Sequence, residues 1–261
     1  MMVVKHEKLP LDRVARRLEE VDESVRRDAH KAAMLFVPLL VVFAVSCVIV
    51  PPVGMIGGLF TGVFYWTKRG KLARARAKVE FARELHGLLE DELHPRKAVM
   101  LDFDLRHYDE TVKRVWAGRS SAGNAKYKYS DKWLHYRAIL ADGTRVEVVR
   151  QAGVKVKKGH VVKEKRRLLL SLTPHPGRYA MERLKDERLG RRLRARLSAA
   201  VGAFHNDPEE FHARVDGGGG GTLRLKVTQE DAPILPGEVL AIMEEVVRFL
   251  QELRGPGARA A

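Results

Sequence analysis

Three clusters of Lys and Arg carry the positive charge of this 261-residue chain, whose formal net charge at pH 7 is +15. They lie at residues 68–78, 155–167 and 168–200. Positively charged surfaces of this kind attract lipid headgroups, nucleic acid or acidic proteins. We therefore predict an anion-binding surface formed by Lys68, Arg69, Lys71, Arg74, Arg76, Lys78, Lys155, Lys157, Lys158, Lys163, Lys165, Arg166, Arg167, Arg188, Arg191 and Arg192.

The second cluster has the period of a β-strand. Lys155 and Lys157 alternate with Val154 and Val156, so a strand here would carry both lysines on one face. Aromatic residues lie near a further group of lysines upstream, as the stacking of single-stranded bases would require. The aromatic residues are Tyr127, Tyr129 and Trp133, and the lysines are Lys126, Lys128 and Lys132. Tyr and Trp at strand positions are more often packing residues.

Two groups of residues could bind a metal ion. Asp102-x-Asp104 follows an apolar strand, like acid pairs of phosphoryl-transfer enzymes, but Arg106 stands where haloacid-dehalogenase-like phosphatases have Thr or Val. The two carboxylates are therefore expected on the solvent face of a strand. His205 and His212 are close in sequence, with Asp207, Glu209 and Glu210 between them, yet Asp207 and Glu210 are already explained by helix capping. We expect no metal and no cofactor.

The familiar catalytic motifs are missing from the sequence. The run Gly217–Gly221 leads into a strand rather than a helix and lacks the Lys-Ser or Lys-Thr of a phosphate-binding loop. No Gly-x-Ser-x-Gly elbow, zincin His-Glu pair, kinase or dinucleotide-binding fingerprint occurs. Cys47 lies in an apolar segment, where an ionised thiolate is disfavoured. We expect a protein that is not an enzyme.

Ala32–Trp66 contains no charged residue. As one helix it would measure about 52 Å, too long for a ~30 Å hydrocarbon core, and Pro51-Pro52 interrupts it. Basic residues flank both ends, which favours both ends in the cytoplasm. We predict a transmembrane or re-entrant hairpin over residues 32–67, in a bacterial-type inner membrane with both termini cytoplasmic. The alternatives are a single span and a buried hairpin of a soluble protein.

Gly54, Gly58 and Gly62 recur every four residues within this run. Such a ladder lets two helix backbones approach closely, either within the hairpin or between protomers. Glycine is also common in membrane helices without any such role.

The segment before the run is expected to be an amphipathic helix. Leu11, Val14, Leu18, Val21 and Val25 follow a heptad spacing. Two heptads are too few to establish a coiled coil, so this helix lies on a membrane, packs on the protein's own domain, or self-associates. After the run, a second amphipathic helix extends to His94-Pro95.

From residue 97 the apolar period changes to two, as in strands. Strands are predicted at Val99–Leu105, Thr111–Trp116, Trp133–Leu140, Thr144–Gln151 and Arg167–Leu172, with Val154–Lys157 prolonging the fourth. Asp142-Gly143 is a typical hairpin turn. Closely spaced strands favour an antiparallel meander or partial barrel.

The remainder is predicted to return to helices. Met181–Phe204 and Gly237–Arg254 have helical periodicity, and Thr222–Thr228 has that of a strand. Asp207-Pro208-Glu209-Glu210 resembles a capped helix start.

Together these patterns predict a membrane-anchored α+β protein. Its expected segments are an amphipathic N-terminal helix (1–31), the hairpin (32–67), a basic juxtamembrane linker and helix (68–96), an antiparallel β domain (97–175), a helical or α+β C-terminal region (176–254) and a flexible tail (255–261).

The predicted function is that of a non-enzymatic integral membrane protein. Its basic cytoplasmic domain would serve as a binding, scaffold or assembly module that docks on anionic lipid of the cytoplasmic leaflet or on an acidic protein partner, with homo-oligomerisation as a further option. The alternatives are a membrane-tethered nucleic-acid-binding protein and a membrane-associated enzyme with an unrecognised site.

Overall fold

The computed structural model describes residues 3–49, 51–175, 179, 187–202, 210–216, 222–230 and 235–252. Within these ranges it does not describe the side chains at positions 3–6, 39, 40, 43, 46–49, 51–56, 60, 187, 189, 190, 194, 201, 202, 210–216, 228–230 and 250. The helices are α1 (Leu11–Ile49), α2 (Pro51–Leu89), α3 (Glu187–Gly202) and α4 (Pro236–Glu252). The strands are β1 (Val3–Leu9), β2 (Val99–Asp104), β3 (Arg114–Arg119), β4 (Ala125–Ile139), β5 (Arg145–Lys157), β6 (His160–Thr173), β7 (Glu210–Asp216) and β8 (Thr222–Glu230).

All eight strands belong to one antiparallel sheet, ordered β1-β2-β4-β5-β6-β8-β7. Strand β4 is long enough to pair with two neighbours along one edge: its second half pairs with β2, and its first half with β3. The antiparallel sheet expected from the period-two patterns is thus confirmed. The structure further adds β1, β7 and β8 to it.

One face of the sheet packs against helices. In β2 the side chains of Val99, Leu101 and Phe103 are buried, whereas the alternating Asp102 and Asp104 are only partly covered. The buried side chains join one core with residues from the N-terminal part of α1, the C-terminal part of α2, α3 and α4. Fully burying one such apolar side chain stabilises the fold by about 1.5–3 kcal/mol. The molecule is a two-layer α+β arrangement.

The N-terminal part of α1 packs on the protein's own core. Val14, Leu18, Val21 and Val25 are each no more than 5% exposed and share the core with apolar residues of α2. Further along the two helices, the ring of Phe36 stacks on that of Tyr65, with centroids 4.0 Å apart. Of the three roles considered for the heptad spacing, packing on the protein's own domain is the one that the structure shows.

The predicted transmembrane hairpin over residues 32–67 is wrong. Among the residues described, neither α1 nor α2 nor any other helix stays apolar over the length that a bilayer crossing needs. Helix α1 ends at Ile49 and α2 begins at Pro51, and each of them includes a densely charged part as well as an uncharged one. The membrane-anchored fold class, the integral membrane function and the inner-membrane location with both termini cytoplasmic rested on that span, and they are corrected with it.

Three local predictions also need correction. Thr111–Lys113 is a turn of 3-10 helix, and the strand begins only at Arg114. The sequence predicts a helix start at residues 207–210, but Glu210 is the first residue of strand β7, so the prediction is wrong there. Residues 207–209 lie outside those described. The chain at Val3–Leu9 is a strand, so the N-terminal helix begins only at Leu11.

Candidate functional site

The beginning of β4 and the turn joining β5 to β6 extend the sheet beyond the core. In an antiparallel pair, residues directly opposite each other carry their side chains on the same face. Lys128 lies opposite Lys155, and Lys155 in turn lies opposite Lys163 on the next strand. One step further out, Lys126 lies opposite Lys157. We call this set of five residues, Lys126, Lys128, Lys155, Lys157 and Lys163, the lysine rows.

The lysine rows place like charges side by side on neighbouring strands. Like charges directly opposite each other in a sheet destabilise it, so such a pattern is unfavourable unless an anion is present. Within the described ranges, no carboxylate lies at ion-pair distance from Lys126, Lys128, Lys155 or Lys157. All of the lysine rows except Lys126 are largely exposed. The result is a concentrated positive field at this end of the sheet.

An aromatic side chain, Trp116, lies next to the lysine rows on the neighbouring strand β3. Trp116 of β3 lies opposite Lys128, and the Lys128 Nζ is 5.2 Å from the centre of its ring. The indole lies over Gly118, where an added Cβ would come within 2.5 Å of it, so glycine is needed for this ring position. Trp116 is still 43% exposed. It therefore offers a ring to a ligand on the lysine-bearing face.

This face continues towards the middle of the sheet as a shallow cavity of about 540 Å³. Val149 and Leu169, opposite each other on β5 and β6, contribute apolar surface to it. Its rim is mainly polar and basic, formed by Lys132, Glu147, Gln151, Ser171, Arg224 and Lys226. No helix in the described part of the chain covers this face.

A polar network borders the cavity. His135 Nε2 is 2.5 Å from Glu147 Oε1, and its Nδ1 is 3.4 Å from Asp102 Oδ2. Arg137 donates hydrogen bonds to the same Glu147 oxygen. Burial raises the pKa of the Glu147 carboxyl, but the hydrogen bonds from His135 and Arg137 outweigh it, and this pKa lies below its ordinary value.

A buried ion network lies at the opposite face. Asp131, 4% exposed, pairs with Lys113 Nζ at 2.5 Å and with Lys78 Nζ at 2.9 Å. Lys113 also lies 3.4 Å from Asp104, which pairs with Arg106 at 2.9 Å. Burial lowers the pKa of Lys78, although the charge of Asp131 opposes that effect. The network links α2 to β2 and β4.

Beside this network lies a cleft of about 370 Å³ between α2 and the sheet. Arg150, 6% exposed, places its guanidinium 4.7 Å from the centre of the Phe81 ring and 5.8 Å from that of Trp133. Burial lowers the pKa of Arg150 to about 9. Several further cations of the cleft are paired with carboxylates, for example Arg166 with Glu164 at 3.0 Å. We assign the cleft a structural role.

The structure divides the predicted anion-binding residues among several surfaces. The 68–78 cluster is dispersed on α2: Lys71 pairs with Asp109 at 3.0 Å, Arg74 contacts His107, and Lys78 belongs to the buried network. Lys68, Arg69 and Arg76 are exposed, as are Arg188, Arg191 and Arg192 on α3. Most of the second cluster lies on one side of β5 and β6, namely Lys155, Lys157, Lys163, Lys165 and Arg167. Arg166 lies on the other side, in the cleft, and Lys158 lies in the turn between the two strands.

Three residues of this site were not predicted from the sequence as anion-binding. Lys126 and Lys128 alternate with Tyr127 and Tyr129, and this period of two was the available signal. The alternation places Tyr127 and Tyr129 on the face of β4 opposite to the lysines, so these tyrosines cannot stack on a base that is bound at the lysine rows. Trp116 takes their place on the basic face. Trp133 packs edge to face on Phe81 and Phe103.

Two further expectations can be placed in the structure. An added Cβ at Gly58 or Gly62 would meet no atom of the described residues within 4 Å, so no described side chain packs against either glycine. Gly54 lies among residues whose surroundings are not described. Across the described ranges, no three His, Cys, Asp or Glu residues gather as metal ligands do. His205 lies outside these ranges, as does the side chain of His212.

Comparisons of the chain with protein-family models, with curated proteins and with solved structures found no match.

Proposed function

We propose that this protein binds single-stranded nucleic acid on the lysine-bearing face of its sheet and catalyses no reaction of its own. The observation that carries the proposal is the line Trp116–Lys128–Lys155–Lys163, which runs across four neighbouring strands. Single-stranded nucleic acid is bound without sequence preference by a basic surface that follows the phosphates and by aromatic side chains that stack on bases. Both features lie on this one face.

The arrangement favours nucleic acid over an acidic protein. Adjacent strands are about 4.8 Å apart and alternate residues along a strand about 6.6 Å apart, so the lysine rows form a regular charged lattice. A regular polyanion can engage several such charges at once, releasing counterions as it does so. An aromatic ring at the edge of the lattice adds a contact for a base but none for a carboxylate.

The direct test measures binding of a fluorescein-labelled oligo-dT and an oligo-U to the full chain by fluorescence anisotropy. The double variant Lys128→Gln/Lys155→Gln should raise Kd by about tenfold or more at low salt. It should also reduce the slope of log Kd against log salt by roughly 1.4, because two phosphate contacts are lost. The matched control is Lys31→Gln/Lys97→Gln, which removes two exposed lysines outside the lysine rows and should leave Kd nearly unchanged.

Trp116 gives a second, independent test. Trp116→Ala should weaken binding by about 5- to 100-fold if a base stacks on the indole, and Trp116→Phe should restore most of the affinity. No binding to either oligonucleotide at low salt would contradict the proposal. Poly-glutamate binding as tightly as the oligonucleotides, with Trp116→Ala having no effect, would instead identify an acidic protein as the partner class.

A further inference from the structure

The outer parts of α1 and α2 expose an unusually large apolar surface. Leu35, Val41 and Val45 on α1 and Leu59, Val63 and Phe64 on α2 are all more than half exposed, and Trp66 is 78% exposed. Together such side chains present on the order of 1,000 Å² of apolar surface. The largest apolar patch of a typical monomer is about 300–600 Å². A surface of this size and character requires a partner.

We propose that this surface is the interface of a homodimer, in which the outer parts of α1 and α2 from two copies form a four-helix core. This proposal does not depend on nucleic-acid binding. Stable dimers bury about 800 Å² on each partner, an area that the exposed surface can supply. A two-fold interface needs the same patch on both copies, and obligate homodimer interfaces are rich in apolar residues.

The absence of charge in this surface also indicates a second copy of the chain as its partner. No charged residue lies between Ala32 and Trp66, so the patch offers no ion pair to a partner, and any charge placed against it would be desolvated without compensation. The partner surface must therefore be uncharged as well. Within this chain, the segment that meets this requirement over such a length is Ala32–Trp66 itself. A second copy supplies the matching surface.

Charge also selects the orientation of the two copies. Next to the apolar surface, α1 carries Arg27 and Lys31 and α2 carries Lys68 and Arg69, all exposed. Copies arranged side by side with parallel helix pairs would bring these cations together, where they repel each other. Antiparallel helix pairs place them at opposite ends of the four-helix core. We therefore infer the antiparallel arrangement.

The first experiment is sedimentation velocity of the full chain across a range of micromolar concentrations in detergent-free buffer. A dimer is expected, and Val63→Glu should convert it to a monomer because each copy would bury an unpaired carboxylate. The matched control is Val162→Glu, the same change at a valine that is 53% exposed on β6, and it should leave the dimer intact. A monomer at every concentration would overturn the proposal.

A second readout does not depend on the fold surviving a glutamate. The variant Trp116→Phe/Trp133→Phe leaves Trp66 as the single tryptophan, since the chain has three. Its emission should be blue-shifted in the dimer and move to the red on dilution. Emission that is red at all concentrations, and shifts to the blue only when phosphatidylcholine vesicles are added, would show that lipid rather than a second copy covers the surface.

Orientation is tested by spin labels at Lys31→Cys in a Cys47→Ser background, which leaves one label per chain. In the antiparallel dimer the labels lie at opposite ends of an uncharged core about 27 Å long, so the distance between them should be roughly that or more. In a parallel dimer it would fall to the spacing of neighbouring helices, about 10–20 Å. The shorter distance would overturn the antiparallel assignment.

Discussion

At the scale of single residues, the buried Asp131 forms ion pairs with two lysines, and the three residues come from three separate segments of the chain. Lys78 comes from α2, Lys113 from the 3-10 turn before β3, and Asp131 from β4. A buried charge that loses its partner is far more unfavourable than an exposed one, because water cannot replace the partner. The network therefore fixes α2 on the sheet through electrostatics as well as through apolar packing.

Asp131→Asn should consequently lower the free energy of unfolding by about 3–5 kcal/mol, because Lys78 loses its counter-charge and Lys113 keeps only the more distant Asp104, at 3.4 Å. The matched control is Asp109→Asn, which weakens the pairs of this half-exposed carboxylate with Lys71 and His107 and should change that free energy by no more than about 1 kcal/mol. Urea denaturation of both variants compares them directly. Equal, small effects would show that water reaches Lys78 and Lys113.

Lys158 is the one described non-glycine residue with a positive φ, 53°, in the two-residue turn that joins β5 to β6. It is followed by Gly159 at φ 79°. Turns of this kind prefer Asn-Gly, because a lysine in the left-handed region is strained. Lys158→Asn should raise the free energy of unfolding by about 0.5–1 kcal/mol, seen as a higher Tm. A lower Tm would show that the turn is not the source of strain.

His86 makes stability depend on pH. It is 2% exposed, its Nδ1 is 3.1 Å from the Tyr136 hydroxyl, and burial lowers its pKa from the ordinary 6.5 against the opposing charge of Glu90. The unfolded chain then binds a proton that the folded chain resists, so stability is full above pH 6.5 and falls as the pH drops below it.

His86→Gln should flatten this decline in Tm between about pH 7 and pH 5, the range over which an unfolded histidine takes up its proton. The exposed His30 serves as the control, and His30→Gln should leave the pH profile unchanged. If His86→Gln retained the full decline, His107, whose pKa burial also lowers, would be its main source.

At the scale of elements, alternation along a strand was readable from the sequence, whereas the choice of neighbour was not. The period of two correctly placed Val99, Leu101 and Phe103 on one face, and Lys155 with Lys157 on another. It did not show that Lys128 lies opposite Lys155, since register depends on residues far apart in the chain. Strand pairing also explains why the helix-capping pattern that ends at Glu210 does not lead into a helix. Residues Glu210–Asp216 pair with β8 instead.

Helix α1 gives an element-scale prediction. Leu18 is 1% exposed and packs in the shared core, so Leu18→Ala should lower the free energy of unfolding by about 2–5 kcal/mol. Glu19→Ala, at the exposed neighbouring position, should change it by no more than about 0.5 kcal/mol. Chemical denaturation measures both. A small effect of Leu18→Ala would mean that the N-terminal part of α1 can detach without unfolding the sheet.

At the scale of the whole molecule, the formal charge of +15 makes the folded chain repel itself. Raising the salt concentration from about 0.01 M to 0.15 M shortens the screening length from about 30 Å to 8 Å and should raise Tm. An oligo-dT at low salt should raise Tm further, because it binds the folded state. Sucrose at equal osmolality is the control for salt. A Tm insensitive to both would contradict a concentrated positive field.

Strand β1 has a consequence for how the chain is made. Leu9 pairs with Val99, and both long helices lie between them in the sequence. During synthesis β1 leaves the ribosome well before β2, its neighbour among the described strands, and closing so large a loop slows pairing. Until then, the unpaired edge can template a strand from another nascent chain. The charges of Lys5, Glu7 and Lys8 reduce that hazard during the interval.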